Sequence, residues 1–552
     1  MKHQQQNNGL SITRCLILLG ILMGMNPALA QQQDWIYIVT KDDTLWDLSE
    51  KYFPNVNYWK RFQRLNGITD PKLIQPGTRL RVPLAWLSDQ PVPAKLVAVS
   101  GDVSLTPAKA QAIQQVAAGQ VIQLGDQLRT GANASASVEF ADGSIVSIRQ
   151  ETSVMFDHLS AYSDTGMVDT RLRLMNGRLD IRAQPAVGPG TRFEIHTPAA
   201  VSAVRGTQYR AAAQEVSDTT WLEVLEGKIA ATGSNKTTLV PAKFGTKVEQ
   251  GKPPIPPRPL LKPPVLDPLP EKIERINWPL TWQPIMGARR YHTEVAAQAD
   301  FSLILWERYS EGARTPLPDL PDGRYFVRVR GIDILGIEGL DRQQPFVLDA
   351  RPQPPVPLDP RDGGVVRGQT AKLRWTDSME AASYRLQLAT DAAFSNLLLD
   401  QAKLTSTSYQ AAELPFGTQH WRLASISPSG EQGPFGPPRS MQVKPIPPKP
   451  EATIGGDKDQ VVASWQAGAE GQNYQVQVAN DRHFKQLTHD ELLTEPQLEI
   501  PQIKGQLRYL RVRIVEPDGY RGPWGTIQQI DPLPDRGWLI VLLSGLVGIL
   551  LL

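Results

Sequence analysis

Residues suited to catalysis are sparse and scattered along this chain. The seven histidines are His3, His158, His196, His292, His420, His483 and His489, and no two have the i, i+4 spacing that sets zinc ligands on one helix face. The single cysteine, Cys15, lies in an apolar N-terminal segment, so after export processing no thiolate nucleophile or disulfide would remain. Paired carboxylates would have to converge from distant strands, which spacing does not reveal. The reading is therefore of a chain that is not an enzyme, with no catalytic residue, no metal and no cofactor.

The run TPAAVSAVRGTQY, Thr197 to Tyr209, is the sharpest remaining question, because it sets Arg205 beside Gly206 in an apolar strand pattern. Such an arginine would cap carbonyls or pair with a carboxylate at a strand crossing, while the glycine permits close backbone approach. The alternative is a ligand or partner contact by Arg205 or by Arg129.

The elements around that run read as all-β. Asp142-Gly143, Asn176-Gly177 and Glu226-Gly227 each separate alternating runs, SVEF from SIVSI, RLRLM from RLDI and WLEVLE from KIA, as turns do. An earlier segment is different. In YIVTKDDTLWDLSEKY a strand gives way to a helix that Thr44 can cap with Asp47 three residues on, and Leu45, Leu48 and Tyr52 share one face. A second helix is expected over Tyr58 to Leu65, ended by Asn66-Gly67, and LIQPGTRLRVP supplies a turn and closing strand.

That βααβ segment, residues 35–84, is similar to the LysM family through Tyr37, Val39, Asp43 to Leu45, Leu65, Asn66, Ile74, Pro76, Gly77, Leu80, Val82 and Pro83. The glycine usual before Asp-Thr is replaced by Asp42. The resemblance implies binding of N-acetylglucosamine-containing glycan, chiefly peptidoglycan, in a shallow groove. One wall would be Asp43, Thr44 and Leu45, the other Ile74, Gln75 and Pro76.

Residues 94–251 resemble the FecR-type domain through GDV at Gly101, GDQLRTG at Gly125, SASVEFADGS at Ser135, NGRLDI, FEIHTPAA at Phe193, VRGTQY at Val204 and VLEGKI at Val224. This resemblance implies a periplasmic sensing or partner-binding module.

Further along, Trp282, Trp375 and Trp465 are each followed nine residues later by a tyrosine, Tyr291, Tyr384 and Tyr474, that opens an alternating strand. Aromatic strands return at RYFVRVR, HWRLASI and RYLRVRI. Three repeats are expected over 271–350, 353–445 and 449–532, and they look like fibronectin type III β-sandwiches with the tryptophans as core. Residues 252–270, with nine prolines in nineteen residues, read as a stiff polyproline spacer.

The two ends point to the envelope. Residues 1–30 have the basic, apolar and Ala-Leu-Ala parts of a secretory signal, whose removal takes two of the 58 basic residues and leaves a balance with 56 acidic ones. That neutrality gives no support to nucleic-acid binding. Residues 537–552 form an apolar run that would span about 24 Å as a helix, enough for a C-terminal membrane anchor with local thinning.

The whole reads as a mainly β multidomain chain. The expectation is a non-catalytic, exported, periplasmic envelope protein that would be held to the inner membrane by its C-terminal helix, bind peptidoglycan by LysM and present the FecR-type domain to an unknown protein partner. The alternatives are a transmembrane signalling component related to FecR regulators and a cell-wall hydrolase.

Overall fold

The computed structural model describes residues 34–110, 112–457 and 460–532. It is mostly β, with its only α-helices among the described residues near the N-terminus. Two compact units divide between Ala350 and Arg351. The export segment 1–30 and the anchor 537–552 lie outside the described residues; among those described, no helix is long and apolar enough to cross a membrane.

The first unit begins with the expected βααβ module. Strand Asp34–Ile38 pairs antiparallel with Arg79–Pro83, and helices Leu45–Tyr52 and Trp59–Asn66 lie between them. Thr44 caps the first helix by accepting the Asp47 amide, and Gly67 ends the second with φ +62°, as a left-handed C-cap does. Leu45, Leu48, Tyr52, Phe62, Leu80 and Val82 form the core.

Strands from Asp89–Pro91 to Arg258–Pro259 then close a β-barrel. Asp142-Gly143 does join a hairpin, Ser135–Glu139 with Ile145–Ile148. Asn176-Gly177 does not: Val168–Arg182 is one fifteen-residue strand. Its first half pairs with Ser153–Tyr162 and its second with Gln208–Gln214. Gly177 has φ +99°, and a Cβ there would lie 2.2 Å from Thr152 Oγ1, so the glycine serves a corner where the strand passes between ladders. Gly227 likewise marks a passage, since Thr219–Glu226 pairs with Phe244–Glu249 while Lys228–Gly233 pairs with Val201–Val204.

The barrel is filled by aliphatic side chains with Phe140, Phe156 and Phe193 among them, each worth about 1.5–3 kcal/mol when fully buried.

Residues 252–270 do not stand off as a spacer. Arg258–Pro259 pairs with Phe244 and Gly245, Ile255 donates to the Lys247 carbonyl, and the Leu261 carbonyl accepts from Leu340. Proline favours an extended path but leaves the remaining amides and all carbonyls free to bond neighbours. The segment is a seam along the barrel and the first sandwich.

That sandwich sets strands Pro279–Thr281 and Arg314–Pro316 against a four-stranded sheet containing Arg290–Ala296 and Gly323–Ile332. The second unit holds two more sandwiches, each a three-stranded sheet facing a larger one. In all three repeats the tryptophan is core, meeting its tyrosine edge to face at 5.3, 5.8 and 5.5 Å.

Candidate functional site

The two loops expected to wall a groove in the N-terminal module are tied together by the backbone. Val39 donates to the Thr78 carbonyl at 2.9 Å, Gly77 donates to the Val39 carbonyl at 2.8 Å, and Leu45 donates to the Pro71 carbonyl. Asp43 Oδ2 accepts from the Thr40 amide, the Thr40 hydroxyl and the Tyr37 hydroxyl. Burial works against its ionised form, but these hydrogen bonds outweigh it and hold the carboxyl below its usual range. Burial, aided by the bond to Asp43, pushes the Tyr37 phenol up to about 12.

The six expected contacts therefore divide. Asp43 braces its loop and Leu45 is completely buried under the helix start, whereas Gln75 and Pro76 are exposed and Thr44 and Ile74 half-buried. Two residues the sequence reading passed over, Leu73 and Trp46, are 78% and 52% exposed beside these loops. Their large apolar types on a loop and a helix start were the available signal. Exposed apolar side chains thus stand beside the exposed Gln75 on these loops.

Arg129 and Arg205 are not brought together. Arg129 sits on strand Gln127–Thr130, opposite Ser104 and Ser153. Arg205 follows strand Val201–Val204 and is exposed. Neither has an ion pair among the described residues, so the carboxylate-pairing role expected of Arg205 is not the one it plays. Gly206 does permit close approach: with φ +69°, its Cβ would stand 3.0 Å from Pro185 Cα.

The least foreseen cluster joins the barrel to the first sandwich. Arg149 binds Asp180 and approaches Glu294 at 3.5 Å. Arg328 binds Glu294 and reaches Asp180 at 2.7 Å. Arg330 binds Glu338 and reaches Glu294 at 2.6 Å. From the barrel side, Arg178 lies 3.0 Å from Glu338, and Arg210 donates to the Gly339 carbonyl at 2.6 Å.

Arg149, Arg210, Glu223, Glu294, Arg330 and Glu338 are buried. Burial opposes ionisation of Glu294 and Glu338, but the surrounding arginines outweigh it and hold both carboxyls well below the usual range. His292, Glu294 and Glu307 bring three metal-ligating atoms within 4.8 Å. Arg330 Nη2 lies 2.8 Å from His292 Nδ1, and Arg328 and Arg330 occupy Glu294, so cationic side chains already fill this place. The cluster is an ionic clasp.

Residues 37–83 match the model of the LysM domain. Residues 126–230 match that of the FecR protein family. The chain carries a LysM domain and a FecR domain. Among solved structures, a protein described as an anti-sigma factor of Parabacteroides distasonis is 16% identical, with a TM-score of 0.21 over 24% of this chain. The match spans 59% of that protein's length.

Chicken CNTN1 FN1-FN3 domains are 16% identical over 49% of this chain and 98% of theirs, with a TM-score of 0.23. Fibronectin(III)-like modules of Clostridium thermocellum CbhA are 13% identical over 32% and 93%, with a TM-score of 0.22. A comparison with curated proteins returns no match. LysM, FecR and fibronectin III-like domains are binding and signalling types, and the first two suggest a cell-envelope protein.

Proposed function

We propose that this protein is a non-catalytic envelope component that binds peptidoglycan through LysM and holds the FecR barrel at the wall as a sensing or partner-binding element. The LysM groove carries this reading: a capped helix start and a proline-glycine loop, locked together by backbone bonds at Val39 and Gly77. One such module gives modest affinity, suited to localisation. Export by residues 1–30 and anchoring by 537–552 would place the barrel between membrane and wall.

The test is sedimentation of the full chain with purified sacculi, beside Thr44→Arg, with soluble muropeptides assayed in the supernatant. Pelleting that falls at least tenfold in the variant, with no muropeptide release, is the expected result. Equal pelleting of both would remove the groove from the account, and muropeptide release would revive the hydrolase reading.

A second reading rests on the FecR match: the barrel transmits an envelope signal to a membrane partner, as an anti-sigma-like component would. Deletion should then change the transcription of a defined gene set. No transcriptional change would leave the tether alone.

A further inference from the structure

Three cations gather on one cavity where the LysM module meets the barrel. Phe193 is paired with Val204, and Val204 with Ile229. The residues one step past these last pairs, Arg192, Arg205 and Lys228, are all exposed and line one cavity. Like charges gathered on one surface repel one another. Arg192 has partial relief from Asp169 at 3.8 Å and Glu194 at 3.5 Å. Arg205 and Lys228 have no ion pair within 4.0 Å among the described residues.

The cavity measures about 370 Å³, and its other walls include Leu84 and Tyr162. Both also pack on the LysM core. Met167, completely buried in that core, and the bonds from Ser88 to the Tyr52 carbonyl and from Ser163 to the Ser88 carbonyl fix the module to the barrel. The LysM loops and the cationic cavity thus belong to one compact unit.

We propose that this cavity binds the free carboxylates of peptidoglycan stem peptides while the groove holds the glycan. This inference rests on the peptidoglycan reading above. The groove loops lie at one end of strand Arg79–Pro83 and Leu84 follows its other end, a distance of roughly 17 Å. An extended stem of four or five residues spans about the same length at ~3.4 Å per residue. Arginine forks and a lysine ammonium are the groups that recognise carboxylates, and a neutral glycan strand would leave these cations unused.

The experiment compares binding of the full chain to intact sacculi and to chitin, a neutral N-acetylglucosamine polymer without stem peptides or carboxylates, with Arg205→Glu/Lys228→Glu beside it. Both positions are exposed, so the fold should survive, which circular dichroism would check. Wild type should prefer intact sacculi by about tenfold, with the preference shrinking as salt rises. The double variant should bind both polymers alike, at the chitin level.

Retained preference in the double variant overturns the proposal and leaves the LysM reading intact. Failure of wild type to bind either polymer overturns the peptidoglycan reading itself. Vesicles containing phosphatidylglycerol form a third arm: binding to them that the double variant loses would assign these cations to anionic lipid and overturn the carboxylate assignment.

Discussion

The first sandwich and its two sisters carry one scaffold with opposite electrostatic solutions. Glu294, Gln387 and Gln477 hold the same strand position, each paired across the sheet with an arginine, Arg328, Arg422 and Arg511. On the other side each faces an acid, Glu307, Asp400 or Asp490. The arginines stack on Phe301, Phe394 and Phe484, which share a left-handed backbone with φ of +53°, +58° and +55°.

In the sisters, the glutamine accepts from the arginine and donates to the acid, so the ladder is satisfied within the module. Gln387, for example, accepts from Arg422 at 2.7 Å and donates to Asp400 at 3.0 Å. A glutamate cannot donate while ionised, and the first module's Glu294 instead draws Arg149 from the barrel. One amide-to-carboxylate exchange marks the difference between a self-contained face and an interface.

Glu294→Gln should break this contrast with the largest effect. It gives the first module its sisters' residue but leaves Arg149, Arg328 and Arg330 buried beside a neutral group. Removing one partner of a buried ion pair costs about 3–5 kcal/mol. Hydrogen exchange over Arg290–Ala296 and Gln208–Gln214 should accelerate strongly, while Ser383–Ala389 stays unchanged. Equal protection in wild type and variant would mean that the clasp contributes nothing to the junction.

A pH titration should sharpen the comparison next. His292 is faced by Arg330, Glu294, Glu307 and Glu338 and stacked on Tyr309. Burial and Arg330 oppose its protonation, yet the carboxylates prevail and raise its pKa above 6.5. A raised folded pKa contributes stability that is complete below the unfolded value and lost as pH rises through the folded one.

The lowered carboxyls of Glu294 and Glu338 act in the opposite direction, contributing above the unfolded glutamate value and losing that contribution as pH falls through their folded values. Exchange over Arg290–Ala296 should therefore rise toward alkaline pH, and His292→Gln should flatten that rise. Ser383–Ala389 should show only the acid-side loss contributed by Asp400, whose pKa is lowered chiefly by Arg385.

Local signals were legible wherever one residue type had one structural use. Thr44 with Asp47 fixed a helix start, and the Trp375–Tyr384 spacing fixed a core pair. The misreadings came from residues with two uses. Asn176-Gly177 suits a tight turn or a strand corner, and only the Thr152 backbone packed against Gly177 decides between them. Proline-rich 252–270 suits a spacer or a seam, a choice made by amides elsewhere in the chain. Arg205 lost its expected partner because pairing depends on which carboxylates the barrel closure brings near. The clasp left a faint trace, Glu294 where its sisters have glutamine, but the barrel arginines Arg149 and Arg178 lie more than a hundred residues from the carboxylates they meet.

The smallest expected effect comes from the converse exchange, Gln387→Glu. The new carboxylate would lose the bond donated to Asp400 and face that acid across the strand, a like-charge contact worth roughly 0.2–1 kcal/mol. Arg422 already donates two hydrogen bonds to this position, and an ionised acceptor strengthens both. Arg385 holds Asp400 through two further bonds at 2.7 and 2.6 Å, and half-exposure of that pair lets water screen the repulsion. These effects nearly cancel, so the change in stability should stay below about 1 kcal/mol. Thermal unfolding would check this beside Glu294→Gln. A loss as large as that of Glu294→Gln would show that the glutamine ladder, and not the barrel's arginines, sets the cost of charge on this face.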